Sequence, residues 1–244
     1  MLFVFNLLKN IYLILTVGIK CAKMTYMKEE IESLKSDIKV LAGDRNVTIV
    51  AASKMQTIET INKLLEYGID TVGENRVQEL IEKYEPNSPL KWQFIGVLQS
   101  NKVKYIVDKV TLIQSVDSVS LAKEIEKQCA KRDIIMPILL EVNYGREPQK
   151  SGVLPENLYE LIDAITALPH VKINGLMTVM PIGAEEKMYN GMNELYNKCK
   201  KDYQKIDFKY LSMGMSADYR LALKCGANMI RIGEKIFGKR NYVK

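Results

Sequence analysis

The chain has 244 residues, 47% hydrophobic and 26% charged, the balance of an ordinary globular protein and not of a disordered or collagen-like one. Its 35 Lys and Arg against 29 Asp and Glu leave a net charge of +6 with no block of five like charges, which argues against a dedicated nucleic-acid surface and fits a phosphorylated small molecule. Cys21, Cys129, Cys199 and Cys225 lie far apart, as expected of reduced structural thiols in a cytoplasmic protein, and a single histidine, His170, leaves no metal-ligand set and no Ser-His-Asp site.

Residues 1–26 are far more apolar than the rest of the chain. Lys9 interrupts the run, and the ten residues between Lys9 and Lys20 are too few to span a bilayer. There is no basic leading region, and Lys20 beside Cys21 spoils a small-residue cleavage site, so a signal peptide is not expected either. Met24 and Met27 both stand just ahead of a good helical sequence. The expectation is an apolar extension outside the functional fold, arising from an upstream start, with a peripheral apolar helix as the alternative. The fold is then expected over 27–244 as one domain.

From Met27 the pattern is regular. EEIESLKSDIKVL carries apolar residues at helical spacing and stops before Gly43. VTIVAAS, 47–53, is a continuous apolar run of the kind a strand buried on both faces requires. A helix to Gly68, the strand IDTVG, the helix NRVQELIEKY and the strand WQFIG come next, then a helix from near Ser100 and the strand TLIQSV. Ser118 reads as an N-cap of the next helix, and the fifth strand, IMPILLEVN, leads into the longest loop of the body, YGREPQKSG. Pro155 opens a helix, VKINGLMTV makes strand six, and a helix covers roughly 185–201. KYLSMG, a short helix, NMIRIG and a last short helix with Ile236 and Phe237 complete the chain. Eight apolar strands alternating with helices in about 200 residues, with no G-x-G-x-x-G at the first turn, predict a closed (β/α)8 TIM barrel and not a doubly wound sheet.

Barrel chemistry belongs at the carboxyl ends of the strands. Those ends carry Ser53-Lys54, Gly73-Glu74-Asn75, Gly96, Ser115 and Asp117, Asn143, Thr178, Ser212 to Ser216, and Arg231 to Glu234. Lys54 directly follows a buried strand, where partial desolvation would lower its pKa and free a nucleophilic amine for Schiff-base chemistry; position alone equally allows a surface lysine on a loop. Gly-x-x-Ser after strand seven and Arg-x-Gly after strand eight are backbone-rich turns into helix starts, where barrels often bind phosphate. A reactive lysine opposite a phosphate cup implies a phosphorylated aldehyde.

These residues, taken together, resemble one family. Ala51-Ala52-Ser53-Lys54, Gly73-Glu74-Asn75 with Gln78-Glu79, Trp92 to Gly96 and Leu98 to Lys102 are similar to the pyridoxal phosphate homeostasis proteins. So are Ser115 to Ser118, Lys150-Ser151-Gly152, Gly175 to Met177, Leu211 to Ser216, and Arg231 to Gly233 with Phe237-Gly238, in order over 27–244. The resemblance implies a barrel like the N-terminal domain of alanine racemase, without that enzyme's second domain, binding pyridoxal 5′-phosphate (PLP). It implies that Lys54 forms the internal aldimine, that Ser216 and the backbone N–H groups of Gly233 and Glu234 hold the phosphate, and that Arg231 faces the pyridine nitrogen, with Asn75 and Ser212 as further pocket residues.

This chain departs from the pattern in having Gln93 and Val97 where histidines are common, Glu234 where Ser or Thr is common, and Ile58 where alanine racemases place a tyrosine one turn after the lysine. The implied role is that of a non-catalytic, monomeric PLP carrier in the cytoplasm, touching apo-enzymes transiently, with no nucleic-acid partner, no stable membrane span and no metal. A PLP-dependent amino-acid racemase or lyase is the first rival, and a Schiff-base aldolase without PLP the second.

Overall fold

A computed structural model of the chain describes residues 23–238. The expected extension therefore falls mostly on residues outside the described ones. Residues 23–26 are the exception: they open helix α1, described over 23–42, in which Met24 packs against the core and Met27 is buried. The edge of the fold lies ahead of residue 27, because the apolar stripe of α1 already includes Met24.

Eight parallel strands form a closed barrel in sequence order, β1 (Thr48–Ala52), β2 (Thr71–Glu74), β3 (Lys91–Phe94), β4 (Leu112–Val116), β5 (Met136–Glu141), β6 (Val171–Met177), β7 (Tyr210–Ser212) and β8 (Met229–Ile232). β8 closes onto β1, with Val50 opposite Arg231. The helices between them are α2 (Ile58–Asn62), α3 (Val77–Lys83), α4 (Val119–Ala130), α5 (Leu158–Thr166), α6 (Glu186–Asp202) and α7 (Tyr219–Lys224), and α8 (Glu234–Phe237) follows β8. Ser118 caps α4, its hydroxyl accepting from Leu121 N at 3.4 Å.

The segment expected to be a helix from Ser100 is a 3-10 turn, Ser100–Tyr105. It has no side-chain cap and buries only Val103, so it lacks both the cap and the apolar stripe that sustain an α-helix.

The strands are apolar on both faces because each faces two cores. Val50, Leu112, Leu139, Met177 and Met229 fill the barrel interior, while a larger cluster including Trp92, Phe94, Ile113, Ile138 and Ile230 packs against the helices. Two irregularities shape the carboxyl end. Between Ile113 and Val116 β4 advances three residues while β5 advances two, and between Ile173 and Leu176 β6 does the same against β5. The second bulge contains Gly175, at φ +144°, whose position an added Cβ would bring to 1.9 Å from the Tyr210 carbonyl oxygen.

α1 is tied across the closure: Asp37 accepts from Tyr219 and from Arg220 Nε at 2.9 Å, and Lys235 Nζ pairs with Glu30 at 2.5 Å.

Candidate functional site

Lys54 stands one residue beyond the last rung of β1. Ser53 N donates to Gly73 O at 3.0 Å, and the fully buried Ser53 hydroxyl donates to Glu74 Oε1 at 2.9 Å, which ends the strand against β2. The chain then turns through Met55 at φ +62°, and Gln56 N donates back to Ser53 O at 3.0 Å. Lys54 is half-buried, and its amine has no hydrogen-bond or ion-pair partner among the described residues.

Inside the barrel mouth, β8 directs Arg231 inward, 5% exposed. One end of its guanidinium donates to Ser212 Oγ at 2.7 Å and the other to Thr178 O at 2.8 Å. Ser212 donates on to Gln114 Oε1 at 2.7 Å, and Gln114 Nε2 to Gln93 Oε1 at 2.5 Å, a chain of buried polar groups from β8 through β7 and β4 to β3. Burial lowers the Arg231 pKa to about 10, against the opposing pull of Glu141 and Asp218, so the guanidinium remains charged at neutral pH. Glu141, the carboxyl that pulls on it most, has its own pKa raised to about 7 and so carries only part of a charge at neutral pH. Burial is the main cause and the negative Asp117 adds to it, while Arg231 and a hydrogen bond to Ser151 pull the other way.

At the ends of β7 and β8, Ser216 Oγ accepts from Gly233 N and Lys235 N, both at 3.2 Å. Gly214 at φ +98° allows the approach, since a Cβ there would lie 2.6 Å from the Ala222 Cβ. The resemblance implies the Gly233 and Glu234 amides as phosphate donors; Ser216 itself accepts from Gly233 and Lys235, the Lys235 amide being one the sequence did not point to, and the Glu234 side chain is exposed.

Asn75 is half-buried, its N–H donating to Glu74 Oε2 at 3.2 Å, and it borders a 520 Å³ cleft between α3 and the Ser100–Tyr105 turn, with Arg76, Gln78, Lys102 and Tyr105. No hydrogen bond joins it to Lys54 or Arg231. A larger cavity of 720 Å³ opens at the amino-terminal end of the barrel. Its lysines are already engaged, Lys35 with Tyr67 O, Lys91 with Asp70 and Lys209 with Asp207.

Other strand-end residues are structural. Asn143 organises the loop after β5, bonding Glu147 N and O and Lys150 O, and the Thr178 hydroxyl donates to Val142 O. His170 binds Glu126 through both its backbone N–H and its ring, and Cys129, Cys199 and Cys225 are buried free thiols. Among the described residues no cluster of His, Cys, Asp and Glu is arranged to hold a metal ion, and no helix is long and apolar enough to cross a membrane.

The polar chain behind Arg231 was missed by sequence reasoning. Gln93, Gln114 and Glu141 each sit within an apolar strand, and a polar residue at an inward position of such a strand is the signal that would have found them.

The family model described as the alanine racemase N-terminal domain matches residues 31–241. The pyridoxal phosphate homeostasis protein of Aquifex aeolicus is 40% identical over 228 residues, covering 91% of this chain and 99% of that protein. This chain belongs to the pyridoxal phosphate homeostasis protein family. A protein 30% identical to it, PipY of Synechococcus elongatus, has been solved with PLP bound; the match covers 87% of this chain and 100% of PipY at a TM-score of 0.78. Alanine racemase of Clostridium difficile, 19% identical at a TM-score of 0.66, shares the barrel with this homeostasis-family chain, which spans 58% of its length; that likeness bears on the fold alone.

Proposed function

We propose that this chain binds pyridoxal 5′-phosphate at the carboxyl end of the barrel, holds it through Lys54, and serves to store and release it in the cytoplasm without turnover of its own. The observation that carries the reading is the unpartnered Lys54 amine on the same barrel mouth as a buried arginine and a Ser216 cradle of converging N–H groups. The three features fit the aldehyde, the pyridine nitrogen and the phosphate of the ligand. Bound there, PLP supplies an aldehyde that combines reversibly with amines.

Lys54 presents the amine. Ser216 and the backbone N–H groups of Gly233 and its neighbours Glu234 and Lys235 hold the phosphate, the hydroxyl acting as the local acceptor that a phosphate oxygen would replace. Arg231 donates toward the pyridine nitrogen, kept in orientation by Ser212 and Thr178 O, while Asn75 flanks the mouth. A guanidinium can donate a hydrogen bond there but, with a pKa of about 10, does not give up its proton at neutral pH. Arg231 would therefore supply no proton to a pyridine nitrogen held there, which supports storage over catalysis.

Purified protein should carry a visible absorbance that borohydride abolishes while labelling Lys54. Lys54→Ala should lose the band yet retain weak binding through the phosphate cradle. Labelling at a different lysine rules out the assignment. Turnover of roughly 1 s⁻¹ or more in α-proton exchange with any of a panel of amino acids, the low end of ordinary enzymes, would rule out a carrier without chemistry.

A further inference from the structure

The two peptide groups that flank the Lys54 Cα are both held by side chains of α3. Lys83 Nζ donates to Ser53 O, the carbonyl preceding Lys54, at 3.1 Å. Glu79 Oε2 accepts from Met55 N, the amide following Lys54, at 2.8 Å. The two side chains are bonded to each other at 3.0 Å, and Lys83 is anchored from below by Glu74 Oε1 at 2.7 Å. Glu74 is fully buried and also accepts from the Ser53 hydroxyl and Asn75 N. The Lys83 and Glu79 side chains are 12% and 19% exposed, so this network is sheltered from water and its bonds are stronger than surface ion pairs.

The backbone between these anchors is in a costly state. Met55 has φ +62°, a left-handed conformation that a side-chain-bearing residue rarely adopts because its Cβ crowds the backbone. A turn of this kind persists when neighbouring groups over-determine it, and here the bond from Met55 N to Glu79 does so. Burial pushes the Glu79 pKa up, but Met55 N–H and the Lys83 ammonium outweigh it and hold the carboxyl below its ordinary value, so the acceptor is charged at neutral pH. Neither Glu79 nor Lys83 points at the barrel mouth through any hydrogen bond of its own, and both act on Lys54 through the backbone.

We infer that Glu79 and Lys83 are positioning residues that fix the direction of the Lys54 side chain and so set the rate at which its amine captures an aldehyde ligand. The inference rests on the reading of Lys54 as the attachment site. In the capture step Lys54 Nζ first gives one proton to solvent. It then forms a bond to the aldehyde carbon, and the carbonyl oxygen leaves as water with the two remaining amine protons, so C=N replaces C=O with no change of oxidation state. Only an amine held on the approach line of that carbon completes the step quickly, and a displacement of about 1 Å is worth on the order of a hundredfold in rate.

The test compares the full chain with Lys83→Met, Glu79→Ala and Glu79→Gln, using two probes: PLP, and pyridoxine 5′-phosphate, which keeps ring and phosphate but has an alcohol in place of the aldehyde. Capture is read as the growth of visible absorbance in stopped flow and as borohydride labelling of Lys54. Binding of the alcohol is read by calorimetry, and folding by thermal melting. Lys83→Met and Glu79→Ala should each slow capture at least about tenfold while leaving the affinity for the alcohol unchanged. Glu79→Gln should recover most of the rate, because its amide oxygen still accepts from Met55 N.

Should Lys83→Met fail to fold, the Glu79 pair decides. Capture at the unaltered rate in folded Glu79→Ala overturns the inference, and so does an equal loss of capture and alcohol affinity, which a general loosening of the barrel would give. Labelling of another lysine in the unaltered chain overturns both the inference and the reading beneath it, whereas labelling of Lys54 at unaltered rates in the variants overturns the positioning role alone.

Discussion

Replacing Glu141 by glutamine should make the chain more stable at pH 8 and leave it little changed at pH 4. Glu141 points into the barrel from β5, 7% exposed, and its pKa is raised from an ordinary 4.5 to about 7 by burial and by Asp117, with Arg231 and Ser151 offsetting only part of this. Between these two values the folded chain keeps a proton that the unfolded chain has released. Unfolding then sheds protons, and stability falls as pH rises, at up to about 1.4 kcal/mol per pH unit. Over the shift from 4.5 to about 7 the loss is about 3 kcal/mol, complete once pH exceeds the folded value.

Glutamine keeps the shape and a hydrogen-bonding oxygen for Ser151 without a charge to bury. The difference in unfolding free energy between variant and parent should therefore grow from near zero below pH 4 to about 3 kcal/mol at pH 8. Denaturant titrations of both proteins at pH 4, 5, 6, 7 and 8 measure it. Asp37, Asp70, Glu79 and Glu156, whose pKa values are lowered, stabilise the fold at neutral pH and weaken it on acidification, but both proteins contain them and the difference cancels their effect. A gain that is the same at every pH, or a variant less stable than the parent at pH 8, would show that Glu141 is not held as an acid by its surroundings.

Two more outcomes are expected from the packing. Gly96→Ala should destabilise by about 3 kcal/mol, because its Cβ would meet the Asn75 backbone at 2.2 to 2.8 Å and neither chain can yield without disturbing the ends of β2 and β3; a loss under about 1 kcal/mol by chemical denaturation refutes the clash. A chain starting at Met27 should still fold and bind PLP like the full chain, its losses, the partial packing of Met24 and the exposed bond from Lys23 to Gln56 among them, lying at the edge of α1 and on the order of 1 kcal/mol; a failure to fold in soluble form refutes this.

The alternation of apolar, β-branched runs with amphipathic segments determined the barrel, because each strand must bury two faces and each helix one, and those demands are written locally as period and length. Lys54, Arg231, Ser212 and Ser216 were legible as candidates for the same reason: once strand ends are known, the residues just past them share one mouth. The motifs also carried the family, since they recur in order along almost the whole chain.

What the tertiary structure decided depends on contacts between elements far apart in sequence. Whether the segment 100–105 becomes an α-helix or a single 3-10 turn rests on how much apolar surface it finds to cover. That the Lys235 amide joins that of Gly233 at Ser216 depends on how the start of α8 meets the end of β7. Glu79 and Lys83 stand four residues apart on α3, and their spacing alone says nothing of Lys54. Only the packing of α3 against the end of β1 turns them into the holders of the peptides around Lys54, because a side chain's role is fixed by the backbone it meets.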